Sequence, residues 1–106
     1  MSKRPDLSRI APEEMAEHAG EASQVLRALA NPHRLMILCL LSKGELAVNE
    51  LNELVGLSQS ALSQHLSVLR QDELVETRRE SQNIYYRLAD GPALHIINTL
   101  HEVYCS

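Results

Sequence analysis

The sequence predicts a mainly α-helical domain that carries one small β-hairpin. Apolar residues recur at three- and four-residue steps in four segments of the 106-residue chain, which is the spacing of amphipathic helices, and a fifth segment is apolar on all sides. Gly56 separates two of these segments and predicts a tight turn between two short helices. After Asp72 the pattern becomes strand-like, and residues 74–79 and 84–88 predict a hairpin with a polar tip at residues 80–83.

One domain accounts for residues 12–106, and residues 1–11 predict a loose arm that contains Lys3, Arg4 and Arg9. No apolar run approaches the roughly 20 residues of a membrane span, and the first residues lack the apolar segment of a signal peptide. We therefore expect a cytoplasmic protein with no membrane contact. The net charge of −4 argues against a protein that coats nucleic acid without sequence preference, but it permits a specific binder that acts as a pair.

The first two helices are predicted by the residues at which they start. Pro12 fits a first helical turn, and Glu13 and Glu14 favour the positive end of the helix dipole. Asn31 is an N-cap residue directly before Pro32, so a second helix begins there. That helix contains the segment LMILCLL, which is apolar on all sides and is therefore predicted to lie at the centre of the core.

The two helices around Gly56 predict a helix-turn-helix, in which the second, recognition helix lies in the major groove of DNA. Ser58 is a good N-cap for this helix, and its apolar residues share one side. The other side is uncharged and rich in groups that pair with base edges, namely Gln59, Ser60, Ser63, Gln64 and Ser67. The same pattern occurs on the polar surfaces of small helical domains that bind no DNA, so both interpretations stay open at this point.

A hairpin directly after such a helix is a wing, and it completes a winged helix-turn-helix. The wing carries Arg78, Arg79, Gln82 and Asn83, whose side chains can reach the DNA backbone or the minor groove beside the recognition helix. The alternative is a solvated hairpin with ordinary surface arginines.

Asp90, Gly91 and Pro92 break the hairpin and begin a last helix that is predicted to run through Tyr104. It carries more apolar surface than so short a terminal helix would expose to water, in a stripe of Leu94, Ile97, Leu100 and Tyr104 with Ile96 and Val103 beside it. We therefore expect a homodimer with two-fold symmetry. Its two recognition helices would face successive major grooves, about 34 to 36 Å apart.

The order of these elements, with the segments NPHRLMIL and LSQSALSQHLSVLRQDELV, resembles the ArsR/SmtB family of dimeric winged-helix repressors over about residues 20–105. The resemblance implies an effector-responsive transcription regulator, not an enzyme, that binds double-stranded operator DNA as a homodimer. Its first and last helices would form the dimer interface. By position, the residues facing DNA would be Ser60, Ser63, Gln64 and His65, and Arg78 and Arg79 would belong to the wing. The resemblance favours a repressor, and antirepression is the alternative that the sequence does not separate from it.

Neither of the metal sites known in that family is complete in this sequence. Where many relatives have the two thiolates of a Cys-Val-Cys, this chain has Ala47 and Asn49. In the terminal helix, His95 lacks an Asp two residues before it, and the position three residues beyond His101 is Tyr104. We therefore expect no metal and no cofactor, with a metal-responsive repressor that uses terminal-helix histidines as the alternative.

Cys39 in the second helix and Cys105 in the last helix occupy the places of the two thiols in the persulfide-responsive dithiol branch of that family. The resemblance implies that reactive sulfur species join them through a disulfide or polysulfide bridge, and that the bridged dimer binds DNA more weakly. The alternative is an antirepressor in which both cysteines are inert. Nucleophilic catalysis by Cys39 with His33 or His65 is disfavoured, because nothing in the sequence requires a base beside this thiol.

Overall fold

The computed structural model describes residues 12–105, which form five helices and a three-stranded antiparallel sheet. The helices are α1 (Pro12–Leu29), α2 (Pro32–Leu41), α3 (Val48–Val55), α4 (Gln59–Gln71) and α5 (Pro92–Cys105). The strands are β1 (Leu46–Ala47), β2 (Val75–Glu80) and β3 (Asn83–Leu88). The predicted fold class, mainly α with a β-hairpin wing, is confirmed. The predicted arm lies outside the described residues.

The core is built around α2, as its apolar sequence predicts. Ile37 and Leu38 have no exposed surface, and α2 packs against each of the other four helices. The side chain of Asn31 caps the helix by accepting hydrogen bonds from the backbone N–H groups of His33 and Arg34, both at 3.0 Å. A change in the position of α2 would therefore alter its packing against every other helix of the domain.

The helices α3 and α4 form the predicted helix-turn-helix. Gly56 ends α3 in the left-handed conformation, with φ at 68°, which most other residues adopt only with strain. Ser58 is the predicted N-cap of α4, and its Oγ accepts a hydrogen bond from the backbone N–H of Ala61 at 3.2 Å. The buried side chains of Leu51 and Leu62 anchor the two helices in the core.

The sheet has the strand order β1-β3-β2, so β3 lies at its centre. The strand β1 was not predicted from the sequence, because its two residues, Leu46 and Ala47, are too few to show an alternating pattern. They pair with Tyr86 and Tyr85 of β3. The predicted element order therefore needs one correction: a short strand precedes α3.

The wing is the hairpin of β2 and β3, and its turn is tighter than predicted. Glu80 pairs with Asn83, which leaves a two-residue turn at Ser81 and Gln82 in place of the predicted four-residue tip. Ser81 has a positive φ of 56°, as two-residue hairpin turns require. The ladder between the strands thus extends to the end of the wing.

Large exposed apolar side chains occur in pairs on α1 and at the end of α5, and singly at Met36 of α2 and Leu54 of α3. On α1, Met15 and Leu26 are 58% and 55% exposed; on α5, Val103 and Tyr104 are 65% and 80% exposed. These two helices therefore offer apolar surface that the rest of the chain does not cover. No helix within residues 12–105 combines the length and the apolar character that crossing a membrane requires.

Candidate nucleic-acid interface and cysteine pocket

The outer face of α4 is polar and accessible. Its buried residues, Leu62, Leu66 and Leu69, lie on the side that packs into the core. On the other side, four of the residues predicted to contact DNA are exposed, namely Gln59, Ser60, Ser63 and Gln64. The helix therefore presents uncharged donors and acceptors that can meet base edges.

His65 lies on the flank of α4 that faces α2. It is partly buried, its Nδ1 is 3.5 Å from Nη1 of Arg34, and its ring centroid is 5.6 Å from that of His33. Burial first, and then the positive charge of Arg34, lower the pKa of His65 below its usual value. The DNA contact that the resemblance implies for His65 stays a prediction, and its ring is already engaged within the protein.

Arg34 connects this flank of α4 to α1. Its Nε donates a hydrogen bond to the carbonyl oxygen of Ala28 at 2.8 Å, and its Nη2 donates to that of Arg27 at 3.3 Å. These carbonyls belong to the last turn of α1, where no further helical N–H is available to them. One guanidinium on α2 thus touches the end of α1 and the side of α4.

In the wing, Arg78 is held by two carboxylates. Its Nε lies 2.9 and 2.8 Å from the two carboxylate oxygens of Glu45, and its Nη1 lies 3.0 Å from Oε2 of Glu80. The guanidinium carbon also lies 4.6 Å from the ring centroid of Tyr85. The hydrogen bonds from Arg78 lower the pKa of the Glu45 carboxyl. A DNA phosphate would therefore have to compete with two carboxylates for this arginine.

Arg79 lies on the opposite face of the wing. Side chains alternate along a strand, so Arg79 shares its face with the buried Val75, whereas Arg78 lies on the outer face. Arg79 is exposed and forms no ion pair with any of residues 12–105. Its cross-strand partner is Ile84, which borders a groove between the wing tip and the start of α4. Of the two predicted wing arginines, Arg79 is the one with an uncommitted charge.

The wing tip and the start of α4 border a common groove of about 390 Å³. It brings together three of the predicted DNA-contacting residues, Gln59, Gln82 and Asn83. It also contains Asn49 and Asn52 of α3, which the sequence did not single out as DNA contacts. Their three-residue spacing, which puts both on one face of a helix, is the signal that could have found them.

Cys39 and Cys105 line one pocket between α2 and α5. The pocket has a volume of about 240 Å³, and its remaining walls are Leu35, Leu100, His101 and Tyr104. Helical spacing explains the arrangement, since Leu35 and Cys39 are four residues apart on α2, as are His101 and Cys105 on α5. Cys39 is partly buried and Cys105 is exposed. The structure thus brings the two predicted sensing thiols to one largely apolar site.

The two thiols differ in how readily they can react. Burial raises the pKa of Cys39 above its usual value, and the neighbouring Cys105 raises it further, while the positive charge of Lys43 acts in the opposite direction. Nζ of Lys43 lies 3.1 Å from Nε2 of His101 at the edge of the pocket. Since the thiolate is the nucleophile, the exposed Cys105 is the better placed of the two for the first attack.

Three or more metal-binding side chains do not converge anywhere in residues 12–105. His101 shares the pocket with both cysteines, but these three side chains do not form a group that could hold a metal ion. The same holds for His95, which is exposed on α5.

Comparison with known proteins places this geometry in a family. The family model described as "Bacterial regulatory protein, arsR family" matches residues 31–77, which span α2, the helix-turn-helix and the first half of β2. The biofilm growth-associated repressor of Xylella fastidiosa (strain 9a5c) is 41% identical over 103 residues, which cover 97% of this chain and 88% of that protein. The chain belongs to the ArsR family.

Other members of the ArsR family extend the comparison to solved structures. The transcriptional activator HlyU of Vibrio cholerae is 47% identical over 93 residues, which cover 88% of this chain and 86% of that protein. Reduced HlyU superposes with a TM-score of 0.84 over 89% of this chain and 99% of that one. A homodimeric winged helix-turn-helix DNA-binding domain from Mycobacterium bovis is 32% identical, with a TM-score of 0.74 over 97% of this chain and 89% of that one. This chain is accordingly a transcriptional regulator of the ArsR family and not an enzyme.

Proposed function

We propose that this ArsR-family regulator binds operator DNA as a homodimer, and that its affinity for DNA falls when a covalent bridge joins Cys39 to Cys105. The observation that carries the proposal is that both thiols line the pocket between α2 and α5. The helix α2 packs against every other helix, and the end of α5 exposes the apolar side chains of Val103 and Tyr104. A bridge would therefore change the packing of α5, in the proposed dimer interface, against α2 in the core.

The homodimer is supported by the exposed apolar residues of α1 and α5. A second copy of the same chain would cover them around a two-fold axis, and it would also place two α4 helices on one side of the assembly. The homodimeric relative from Mycobacterium bovis has the same fold. A dimer also explains how an acidic chain could bind DNA, because two weak half-site contacts made together give a higher overall affinity.

On DNA, α4 lies in the major groove and the wing lies in the adjacent minor groove. The side chains toward the base edges are those of Gln59, Ser60, Ser63 and Gln64. Arg79 supplies the uncommitted positive charge of the wing, whereas Arg78 fixes the wing to Glu45 beside β1.

The bridging chemistry balances with a persulfide, RSSH, as the oxidant. The thiolate of Cys105 attacks the terminal sulfur of the persulfide, takes up that sulfur and releases the thiol RSH. The thiolate of Cys39 then attacks the sulfur attached to the Cys105 side chain, forms the disulfide and expels hydrogen sulfide. Two thiols and one persulfide thus give one disulfide, RSH and hydrogen sulfide. With a second persulfide, one more sulfur is retained as a trisulfide and one more RSH is released.

Persulfides are favoured over peroxides because of bridge length. A disulfide requires Cα atoms within about 7 Å of each other, whereas each inserted sulfur lengthens the span that a bridge can cover. A pair of cysteines held slightly too far apart for a direct disulfide would therefore favour persulfide donors over peroxide.

The test is fluorescence anisotropy of a labelled duplex from the region upstream of the chain's own gene, with reduced protein and with protein treated with glutathione persulfide. A coupling of about 1 to 3 kcal/mol predicts operator binding that is about 5- to 150-fold weaker after treatment. Intact mass spectrometry of the same samples identifies the bridge. The variants Cys39→Ser and Cys105→Ser should bind like the reduced protein and lose the response.

The outcomes separate the competing functions. A single-cysteine variant that responds fully would remove the bridge from the mechanism. Loss of DNA binding on addition of zinc or nickel to the reduced protein, abolished by His101→Ala, would support the metal-responsive alternative. DNA binding that is indifferent to both treatments would support an antirepressor with inert cysteines.

A further inference from the structure

We propose that Lys43 and His101 act together as positioning residues for the attack by which Cys39 closes the bridge. His101 holds the ammonium group of Lys43 at the edge of the cysteine pocket, where its positive charge favours the thiolate of Cys39. The inference rests on the proposed bridging of Cys39 to Cys105. It assigns a role to two side chains that the bridging chemistry itself does not include.

The surroundings of Cys39 oppose its ionisation. The side chain is partly buried, and the pocket that it lines also contains the apolar Leu35 and Leu100. Burial is the main reason that the pKa of Cys39 is raised, and the neighbouring Cys105 raises it further. The closing step nevertheless requires the thiolate of Cys39, because the thiolate and not the thiol is the nucleophile. A positive charge beside the pocket would therefore make this step faster.

Lys43 supplies such a charge. It lies in the turn after α2, four residues beyond Cys39, and its backbone N–H donates a hydrogen bond to the carbonyl oxygen of Leu40 at 3.2 Å. The charge of Lys43 lowers the pKa of Cys39, against the effect of burial. A lysine side chain is flexible and its ammonium group is strongly hydrated, so a partner is needed to keep the charge near the pocket.

His101 is that partner. Nζ of Lys43 lies 3.1 Å from Nε2 of His101. An ammonium group has donors and no acceptor, so Nε2 accepts this hydrogen bond and the proton of the neutral ring is on Nδ1. His101 precedes Cys105 by four residues on α5, just as Cys39 precedes Lys43. The contact between Lys43 and His101 therefore lies about one helical turn from the two thiols, and it joins the end of α2 to α5.

The other titratable groups that face Cys39 come from α5. They are His101, Tyr104 and Cys105, and no residue of α1, α3, α4 or the sheet lines the pocket within residues 12–105. Tyr104 and Cys105 bear no positive charge in either protonation state, and His101 is neutral while it accepts the hydrogen bond from Lys43. Lys43 is therefore the positive charge on which the ionisation of Cys39 depends.

In the closing step, the thiolate of Cys39 attacks Sγ of the Cys105 persulfide, the sulfur–sulfur bond of that persulfide breaks, and hydrosulfide leaves with the bonding electrons. The proton that Cys39 gives up passes to the solvent, and hydrosulfide takes one up to become hydrogen sulfide. A lower thiol pKa gives more thiolate but a weaker nucleophile, so the gain in rate is smaller than the gain in thiolate. The gain should disappear at high pH, where Cys39 is ionised with or without Lys43.

The first test measures the rate at which iodoacetamide alkylates Cys39 as a function of pH, in a Cys105→Ser background and with a chelator present. His101→Ala should shift the pH midpoint upward, because the ammonium group of Lys43 is then free to move into solvent. His101→Gln should keep the midpoint close to that of the parent, because the carboxamide oxygen can accept the same hydrogen bond. Since His101 acts through Lys43, adding His101→Ala to Lys43→Met should cause no further shift.

The second test measures the closing step with both cysteines present. The protein is treated with glutathione persulfide, quenched with acid at intervals and analysed by intact mass spectrometry. At neutral pH, His101→Ala should close the bridge about two- to tenfold more slowly than the wild-type protein, and more of it should be trapped with a single added sulfur. His95→Ala removes an exposed histidine from the same helix and is the matched control, with closure at the wild-type rate.

Three outcomes would each overturn the inference: an unshifted midpoint in His101→Ala, equal shifts in His101→Ala and His101→Gln, or a shift in the double variant equal to the sum of the single shifts. Slower closure of His101→Ala at every pH would also contradict it, because a lost charge acts only where Cys39 is incompletely ionised. If persulfide forms no bridge in the wild-type protein, the proposed function fails instead. The alkylation profiles require neither persulfide nor DNA, so they test Lys43 and His101 in either case.

Discussion

Arg78 and Arg79 are neighbours in sequence, yet their surroundings predict different consequences for DNA binding. Arg78 donates hydrogen bonds to Glu45 and Glu80 on the outer face of the wing. Arg79 lies on the opposite face, which it shares with the buried Val75, and has no ion pair within residues 12–105. Replacing Arg79 by Gln should therefore remove a phosphate contact, whereas replacing Arg78 by Gln should chiefly release Glu45.

The size of the difference follows from counterion release. Each phosphate contact by a cationic side chain contributes about 0.9 to the slope of log affinity against log salt, so a dimer that loses Arg79 twice should have a slope that is shallower by about 1.8. Between about 50 and 200 mM salt, the wild-type protein should lose about 12-fold more affinity than Arg79→Gln does. Arg78→Gln should keep the wild-type slope.

Fluorescence anisotropy titrations of the reduced proteins at four or more salt concentrations give these slopes directly. Both variants lose one positive charge from adjacent positions, so each is the charge-matched control for the other. Equal reductions of slope in the two variants would contradict the assignment. A reduction confined to Arg78→Gln would show that DNA displaces Glu45 and Glu80 from that arginine.

Three further predictions concern the cysteine pocket and the core. Iodoacetamide should modify Cys105 before Cys39, because Cys105 is exposed and burial raises the pKa of Cys39; peptide mass spectrometry after partial labelling gives the order, and faster labelling of Cys39 would contradict it. In a Cys105→Ser background, Lys43→Met should shift the pH midpoint of Cys39 alkylation upward by removing a charge that lowers its pKa, while Lys43→Arg should leave it in place; a downward shift would be the contrary result. Ile97→Ala should destabilise the fold by about 2 to 5 kcal/mol, because Ile97 is fully buried, whereas Asn98→Ala at the exposed neighbouring position should change stability by no more than about 0.5 kcal/mol; urea unfolding at one fixed protein concentration would show whether the two variants differ.

The helices were predictable from the sequence because their signals are local. Asn31 and Ser58 cap the helices that they were predicted to cap, and Gly56 makes the predicted turn. In contrast, β1 exists only because Leu46 and Ala47 meet β3, which is about 40 residues away in the sequence. A two-residue strand has no local pattern, so only the tertiary contact defines it.

At the candidate site, the residue types were predictable from the sequence, but the intramolecular contacts of their side chains were not. The sequence marked Arg78 and Arg79 alike, and only the register of the wing beside β1 shows that Glu45 reaches one of them. The position of His65 on the helix likewise does not reveal that Arg34 and His33 occupy its flank. The spacing of Asn49 and Asn52 puts both on one face of a helix, but only the fold places that face beside the wing tip.

The position of Arg34 has a mechanical consequence. Its side chain is bonded to the last turn of α1 and lies against α4, so the angle between these two helices cannot change without stretching or breaking one of its contacts. Cys39 follows Arg34 by five residues on the same rigid helix, a rise of about 7.5 Å. A displacement of Cys39 would therefore be transmitted through α2 to the Arg34 contacts with α1 and α4, and no flexible loop lies between them.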